Sequence, residues 1–336
     1  NLKARPDRTT VLHVLDNDTD TAGGILMITS VKGVEPNVKV DIAPDGQTLK
    51  LLLPTGKPST TFRYTITNGV NEAAEGTVNV SNAGTANTPP HLREGLPSPD
   101  YTVASFGTLS IPVAGDWRDP EGDPVAVTAA RDGDVVVPVT ADGRLEYTAG
   151  AADKQTKHTL TYDVTDGIDP RTSPGNVAVS VLARGDSRSA PPVAQPDTAQ
   201  GEVGKPIAIL PLANDIPGAD PRDTQARLVL GQLVSPKPDL DVETDLKSGR
   251  LVVTGARVGT YFLEYQAGYG SSTFATGTVR VDVTAAGSSG GPVAMPDQAA
   301  ARGQGAVMVD VLANDFDPAG ELLTVHADHS QLIPES

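Results

Sequence analysis

The sequence predicts an all-β fold: small β-sandwich domains repeated in tandem in an elongated array. The first observation is a four-fold echo, Asn17-Asp18, Gly115-Asp116, Asn214-Asp215 and Asn314-Asp315, at steps of 98, 99 and 100 residues. That step is the size of a domain. The second is period-two alternation of β-branched residues, as in Thr278-Val279-Arg280-Val281-Asp282-Val283, which sets one face inward and the other in water. The third is composition: 34 Gly and 28 Pro in 336 residues, with 38% hydrophobic and 4% aromatic residues, describe short strands and many turns.

The repeat divides the chain into domains at 1–82, 89–184, 191–285 and 292–336, the last only the first part of a copy. Further marks keep the step: Pro6-Asp7, Pro99-Asp100, Pro196-Asp197 and Pro296-Asp297 precede the echo, the first of them at a shorter distance. The third copy reads most clearly, with strands near 197–203, 206–212, 226–233, 239–244, 249–254, 259–267 and 273–284. Seven short strands per hundred residues point to an immunoglobulin-like sandwich, of the cadherin-like or fibronectin-like kind. Asp45-Gly46, Asp142-Gly143 and Ser248-Gly249 supply hairpin turns between fourth and fifth strands. Tyr64, Tyr162 and Tyr265 fall on the penultimate strand, with core packing as their role. Trp117, the only tryptophan, shares a slot with Ile216 and Phe316 and reads as a plug at the sandwich end. No 3.6-residue apolar stripe is sustained, so helix content should be small. Pro- and Gly-containing linkers at 81–90, 183–192 and 285–292 predict a strung, semi-rigid rod with some bending and small contacts between domains.

A net charge of −16 opposes binding to a phosphate backbone, whose affinity comes from Lys and Arg displacing counterions. Nucleic acid is therefore excluded as a partner. With no cysteine, neither a disulfide scaffold nor a thiolate metal site can form. No stretch approaches the apolar length of a membrane helix, and Asn1-Leu2-Lys3 has no signal-peptide character. The chain reads as a piece of a longer protein whose other domains are its first partners.

Val311-Leu312-Ala313-Asn314-Asp315-Phe316-Asp317-Pro318, followed by Leu322-Leu323-Thr324-Val325, resembles the bacterial Ig-like and cadherin-like tandem repeats of large cell-surface proteins. Pro192-Val193-Ala194 and Pro292-Val293-Ala294 resemble the opening of such repeats, and Tyr162 to Gly167 their closing strand. Copy two departs at Gly115, and copy three has Ile216-Pro217-Gly218-Ala219-Asp220 where the acidic turn should be. The resemblance implies a bacterial extracellular or cell-surface spacer, stalk or adhesin segment.

Three sets of acids gather at the echo: Asp16, Asp18 and Asp20; Asp116, Asp119, Glu121 and Asp123; Asp315, Asp317 and Glu321. Calcium takes six to eight oxygens and is the one cofactor such turns suggest. Asp and Asn are also favoured in turns for their local hydrogen bonds, and that reading is preferred. Arg184-Gly185-Asp186-Ser187 spells an integrin-type string on a linker, adequately explained by chance. Gly287-Ser288-Ser289-Gly290-Gly291 formally matches a nucleophile elbow but stands in a linker rather than on a strand-to-helix turn. His13, His91, His158, His326 and His329 form no catalytic or zinc pattern. No catalytic, cofactor-binding or metal residue is assigned, and a non-enzymatic spacer is expected. The alternatives are a module binding a surface protein or glycan, and an accessory region of an extracellular enzyme.

Overall fold

A computed structural model of the protein describes residues 2–43, 45–71, 73–95, 100–168, 170–233 and 238–287, with 292, 294, 295, 297, 299, 306–312, 315, 317 and 323–325. The first sandwich has seven strands: Leu2–Ala4, Thr9–Leu12, Met27–Lys32, Lys39–Ile42, Leu49–Leu52, Ser59–Thr67 and Ala74–Asn82. Its first, seventh, sixth and third strands form one sheet; the second, fifth and fourth form the other. The third sandwich repeats this order with Asp197–Glu202, Pro206–Ile209, Leu228–Leu233, Leu240–Asp245, Arg250–Gly255, Gly259–Tyr269 and Ala275–Thr284. All seven strands expected from its sequence are present. Helical structure among the described residues is limited to two 3-10 turns, Val14–Asn17 and Ala114–Asp116, both at the echo.

The second sandwich differs. Its short fourth strand, Val135–Val136, pairs with Ala126–Asp132 in the larger sheet rather than joining the smaller one. The reason is local: Gly133, at φ +57°, turns the chain straight back, so Asp132 lies opposite Val135. The expected hairpin glycines Gly46, Gly143 and Gly249 all take positive φ.

In every sandwich the first strand runs parallel to the last: Leu2↔Val80, Tyr101↔Val179 and Asp197↔Val279 begin the three registers. That pairing corrects one sequence alignment. Asp7 lies in the turn after the first strand, at φ 56°, where the other copies have Phe106 (66°) and Gly204 (76°). Pro6-Asp7 is therefore not the counterpart of Pro196-Asp197, which opens the strand itself.

Each sandwich has its own apolar cluster, around Leu49, Leu51 and Phe62, around Ile111, Leu145 and Leu160, and around Leu251, Leu263 and Val281. Ile216 of the third copy is an exception and packs into the second core. The expectation of small interdomain contacts also needs correction, because the third sandwich touches the first. Arg280, fully buried, donates to the carbonyls of Ile25 (2.6 Å) and Thr67 (2.5 Å), while Thr198 and Gln200 donate to those of Asp45 and Ala43. Polar side chains of one sheet thereby donate to backbone carbonyls at one end of the neighbouring sandwich.

Tyr64, Tyr162 and Tyr265 lie buried opposite Gly76, Gly175 and Gly277 of the last strand. A Cβ at those glycines would stand 2.4, 2.4 and 2.3 Å from ring atoms, so the ring occupies the space a side chain would need. Gly175→Ala should destabilise the second sandwich by about 1–3 kcal/mol through overpacking. Fluorescence of the single tryptophan, Trp117, in a urea titration reports that domain alone, and an unchanged midpoint would contradict the packing.

Candidate functional site: the acidic turns and the first junction

The echo's acids fall into three roles. The first role is to tether the tyrosine. The 3-10 turn, or its equivalent, carries Asp18 and Asp215 under the sixth strand, where Tyr64 donates to Asp18 Oδ2 at 2.7 Å and Tyr265 to Asp215 Oδ1 at 2.8 Å. Tyr265 also lies within donor reach of the Pro211 carbonyl at 3.0 Å. In the second copy Tyr162 instead accepts from Trp117 Nε1 at 3.3 Å, with the rings edge-on at 6.1 Å. Trp117 is 5% exposed, a plug as expected. Asp215 Oδ1 further accepts the Gln195 backbone N–H, and Asp315 accepts that of Met295 in the same way, both at 2.8 Å.

The second role is turn chemistry. Asp20 accepts from the backbone of Ala22 and Gly24, Asp119 from Glu121 and Asp123, and Asp220 from Arg222. Asn68 Nδ2 reaches Asp20 across the loop at 2.9 Å, and Ser271 reaches Asp220. Asp220 thus performs the turn role that the sequence reading found missing from copy three: the loop is longer, not absent.

The third role joins domains. Asp16 of the first sandwich accepts from Arg118 at 2.7 and 3.1 Å and from Arg93 at 3.1 Å, both arginines belonging to the second. In return, Glu121 and Asp123 of the second sandwich take Lys3, Arg5 and Arg8 of the first, with closest approaches of 2.8, 2.5 and 3.2 Å. Burial presses the Asp16 and Glu121 carboxyls upward, but Arg118 and Arg93 on one and Lys3 and Thr88 on the other hold both below their ordinary values. Asp119, which forms no salt bridge among the described residues, is raised chiefly by burial, and its Oδ2 is buried without a hydrogen-bond partner. Between the contacts lies a cavity of about 540 Å³ lined partly by His13, His91, Tyr64 and Pro120. Burial, with Arg118 nearby, lowers His13 to about 4, so the ring is neutral there.

Sequence reasoning found the acids but missed the bases. Lys3, Arg5 and Arg8 crowd the first eight residues of an acidic chain, and that local excess was the available signal. Among the described residues no group of three or more His, Asp or Glu is placed to hold a metal ion. In the Arg184-Gly185-Asp186 string, Arg184 stacks on Phe106 at 4.9 Å and Asp186 pairs with Arg188 at 2.9 Å. Glu321, His326, His329 and Ser288 to Gly291 lie outside the described residues.

The family model for a bacterial Ig domain matches residues 1–81 and 87–180. A search of curated proteins finds no match. Among solved structures, the chain is similar to an endo-fucoidan hydrolase from glycoside hydrolase family 107 (17% identity, 84% of this chain and 43% of that one, TM-score 0.22). It is also similar to the human desmocollin-1 ectodomain (12%, 87% and 61%, TM-score 0.23) and to a Dscam structure (10%, 84% and 76%, TM-score 0.30). The chain spans less than two thirds of the hydrolase and desmocollin chains, and at such TM-scores none of these likenesses bears on function.

Two sequence marks meet in the third copy, where Asp197 approaches Asp215 and each leaves an Oδ2 buried without a partner. Burial first, and then the charge of Asp215, push the Asp197 carboxyl up to about 7. A raised folded-state value adds stability that is complete below the ordinary carboxylate range and lost as pH climbs through about 7. The third sandwich should therefore unfold more easily at about pH 8 than at about pH 5, and Asp197→Asn should remove much of that fall. Chemical denaturation across this range checks it; an unchanged pH profile in the variant would refute it.

Proposed function

The chain belongs to the bacterial Ig domain family, and we propose that it serves as a non-enzymatic, tension-bearing spacer, the stalk or adhesin segment of a large surface or secreted protein. The observation that carries this reading is the parallel pairing of first and last strands in all three sandwiches. The chain enters each domain along the first strand and leaves along the last, so tension drives the two in opposite directions along their shared ladder. Its hydrogen bonds lie across that motion and resist together rather than opening one at a time. The register spans three residue pairs in the first sandwich, four in the second and six in the third.

Cores that are separate but for Ile216 support the same reading, since each bead can fail and refold with most of its neighbour's core intact. A place outside the cell or on its surface accords with the family. No helix among the described residues is long and apolar enough to cross a membrane. Glycan platforms rely on exposed aromatic rings, and Trp117, the only tryptophan, is buried against Tyr162. The acidic turns supply hydrogen-bond acceptors and interdomain ion pairs, which is structural work.

Pulling the chain from its two ends should first separate the third sandwich from the first at low force. Three unfolding steps should follow, each releasing roughly 30 nm of chain. The third sandwich, with the longest ladder, should outlast the first. A single cooperative rupture, or unfolding at no measurable force, would overturn the proposal.

A further inference from the structure

We infer that the first junction is locked by protein cations: Lys3, Arg5 and Arg8 neutralise the acidic turn of the second sandwich, so the first two sandwiches move as one body without calcium. The topology fixes where these residues stand. Lys3 pairs with Ser81 in the parallel ladder and the Ala83 N–H donates to the Ala4 carbonyl, which places Lys3 and Arg5 beside the point where the chain leaves the first sandwich. The turn from Asp119 to Asp123 stands at the entrance of the second, tied to the linker by Thr88, whose N–H and hydroxyl donate to Glu121.

The acids are enclosed. The Glu121 side chain is fully buried and the Asp123 side chain is 1% exposed. Arg5 contacts both oxygens of Asp123 through Nε, at 2.6 and 2.8 Å, and Oδ2 again through Nη2 at 2.5 Å. The same guanidinium donates to the Gly84 carbonyl and to Asn87 Oδ1, both in the linker, at 3.0 Å each. One side chain thus ties the first strand, the linker and the next domain's turn, a geometry that a planar five-donor fork can satisfy. The planar Arg118–Asp16 contact forms a second clasp, with its charges assigned to the opposite domains. Two clasps separated by the interdomain cavity resist rotation about either one. A calcium ion would have to displace guanidinium and ammonium donors that already occupy the carboxylates.

The lock is specific to this junction among the described residues. In the ladder, Thr102 opposite Ser180 takes the place of Lys3, and Ala104 and Gly107 take those of Arg5 and Arg8. The second sandwich therefore offers no cation to the third from these positions. This inference rests on the junction's geometry and not on the spacer reading, so a failed pulling experiment leaves it standing.

Because the chain has no cysteine, Leu52→Cys and Val136→Cys, both exposed sites, give one spin label on each of the first two sandwiches. Distance distributions between the labels are measured in the full chain by electron double resonance. The labelled parent should give one narrow peak that neither EDTA nor millimolar calcium changes. Adding Lys3→Ala with Arg5→Ala should broaden the peak, while the exchange Arg5→Asp with Asp123→Arg should restore it. Trp117 fluorescence in denaturant identifies variants whose second sandwich remains folded. A double-alanine variant as narrow as the parent, or a parent that narrows only on adding calcium, would overturn the lock.

Discussion

Every sandwich depends on the same constraint, a tyrosine ring held on the sixth strand between a glycine and a polar partner. The ring needs the empty side of Gly76, Gly175 or Gly277 to lie flat on the last strand, and its hydroxyl needs a group inside the fold. Asp18 and Asp215 meet that need directly, and the indole of Trp117 meets it in the second copy. A buried hydroxyl without a partner costs about 1–3 kcal/mol, a large share of what a domain of this size has to spare. The echo in the sequence is thus the trace of a closure: turn, sixth strand and seventh strand are fastened at one point, and both sheets are positioned from it.

Much of the fold was legible because its signals are local. Alternation in Thr278 to Val283 and the glycine turns at Gly46, Gly143 and Gly249 fix strands and hairpins without knowledge of the rest of the chain. Pairing was less legible. Pro6-Asp7 looks like Pro196-Asp197, yet only the parallel register shows that one follows the first strand and the other begins it. The acids were visible as a group, but their roles were not, since a carboxylate that caps a turn, holds a phenol or meets an arginine 118 residues away has the same letter. The glycines under the tyrosines passed unnoticed for a similar reason: their meaning lies in the opposite strand.

The junctions show how one architecture admits different couplings. Between the first two sandwiches the contact is ionic and reciprocal, each domain giving bases and taking acids. Between the second and third, Ile216 is lodged in the second core and Val193 pairs with it along a short bridge. Buried charge gives direction at the cost of desolvation, whereas an apolar plug gives adhesion with little angular preference.

The reciprocal charges also bear on how such a chain can change over time. Repeats of near-equal length invite deletion and duplication by unequal exchange, and interchangeable copies would survive it unharmed. Here the complementary groups are divided between two particular neighbours. Excising the second copy would bring Lys3, Arg5 and Arg8 up against a repeat whose turn acid, Asp220, is already engaged by Ser271. Three unmatched cations at a seam would then replace a closed one, so the order of the copies is itself an inherited part of the structure.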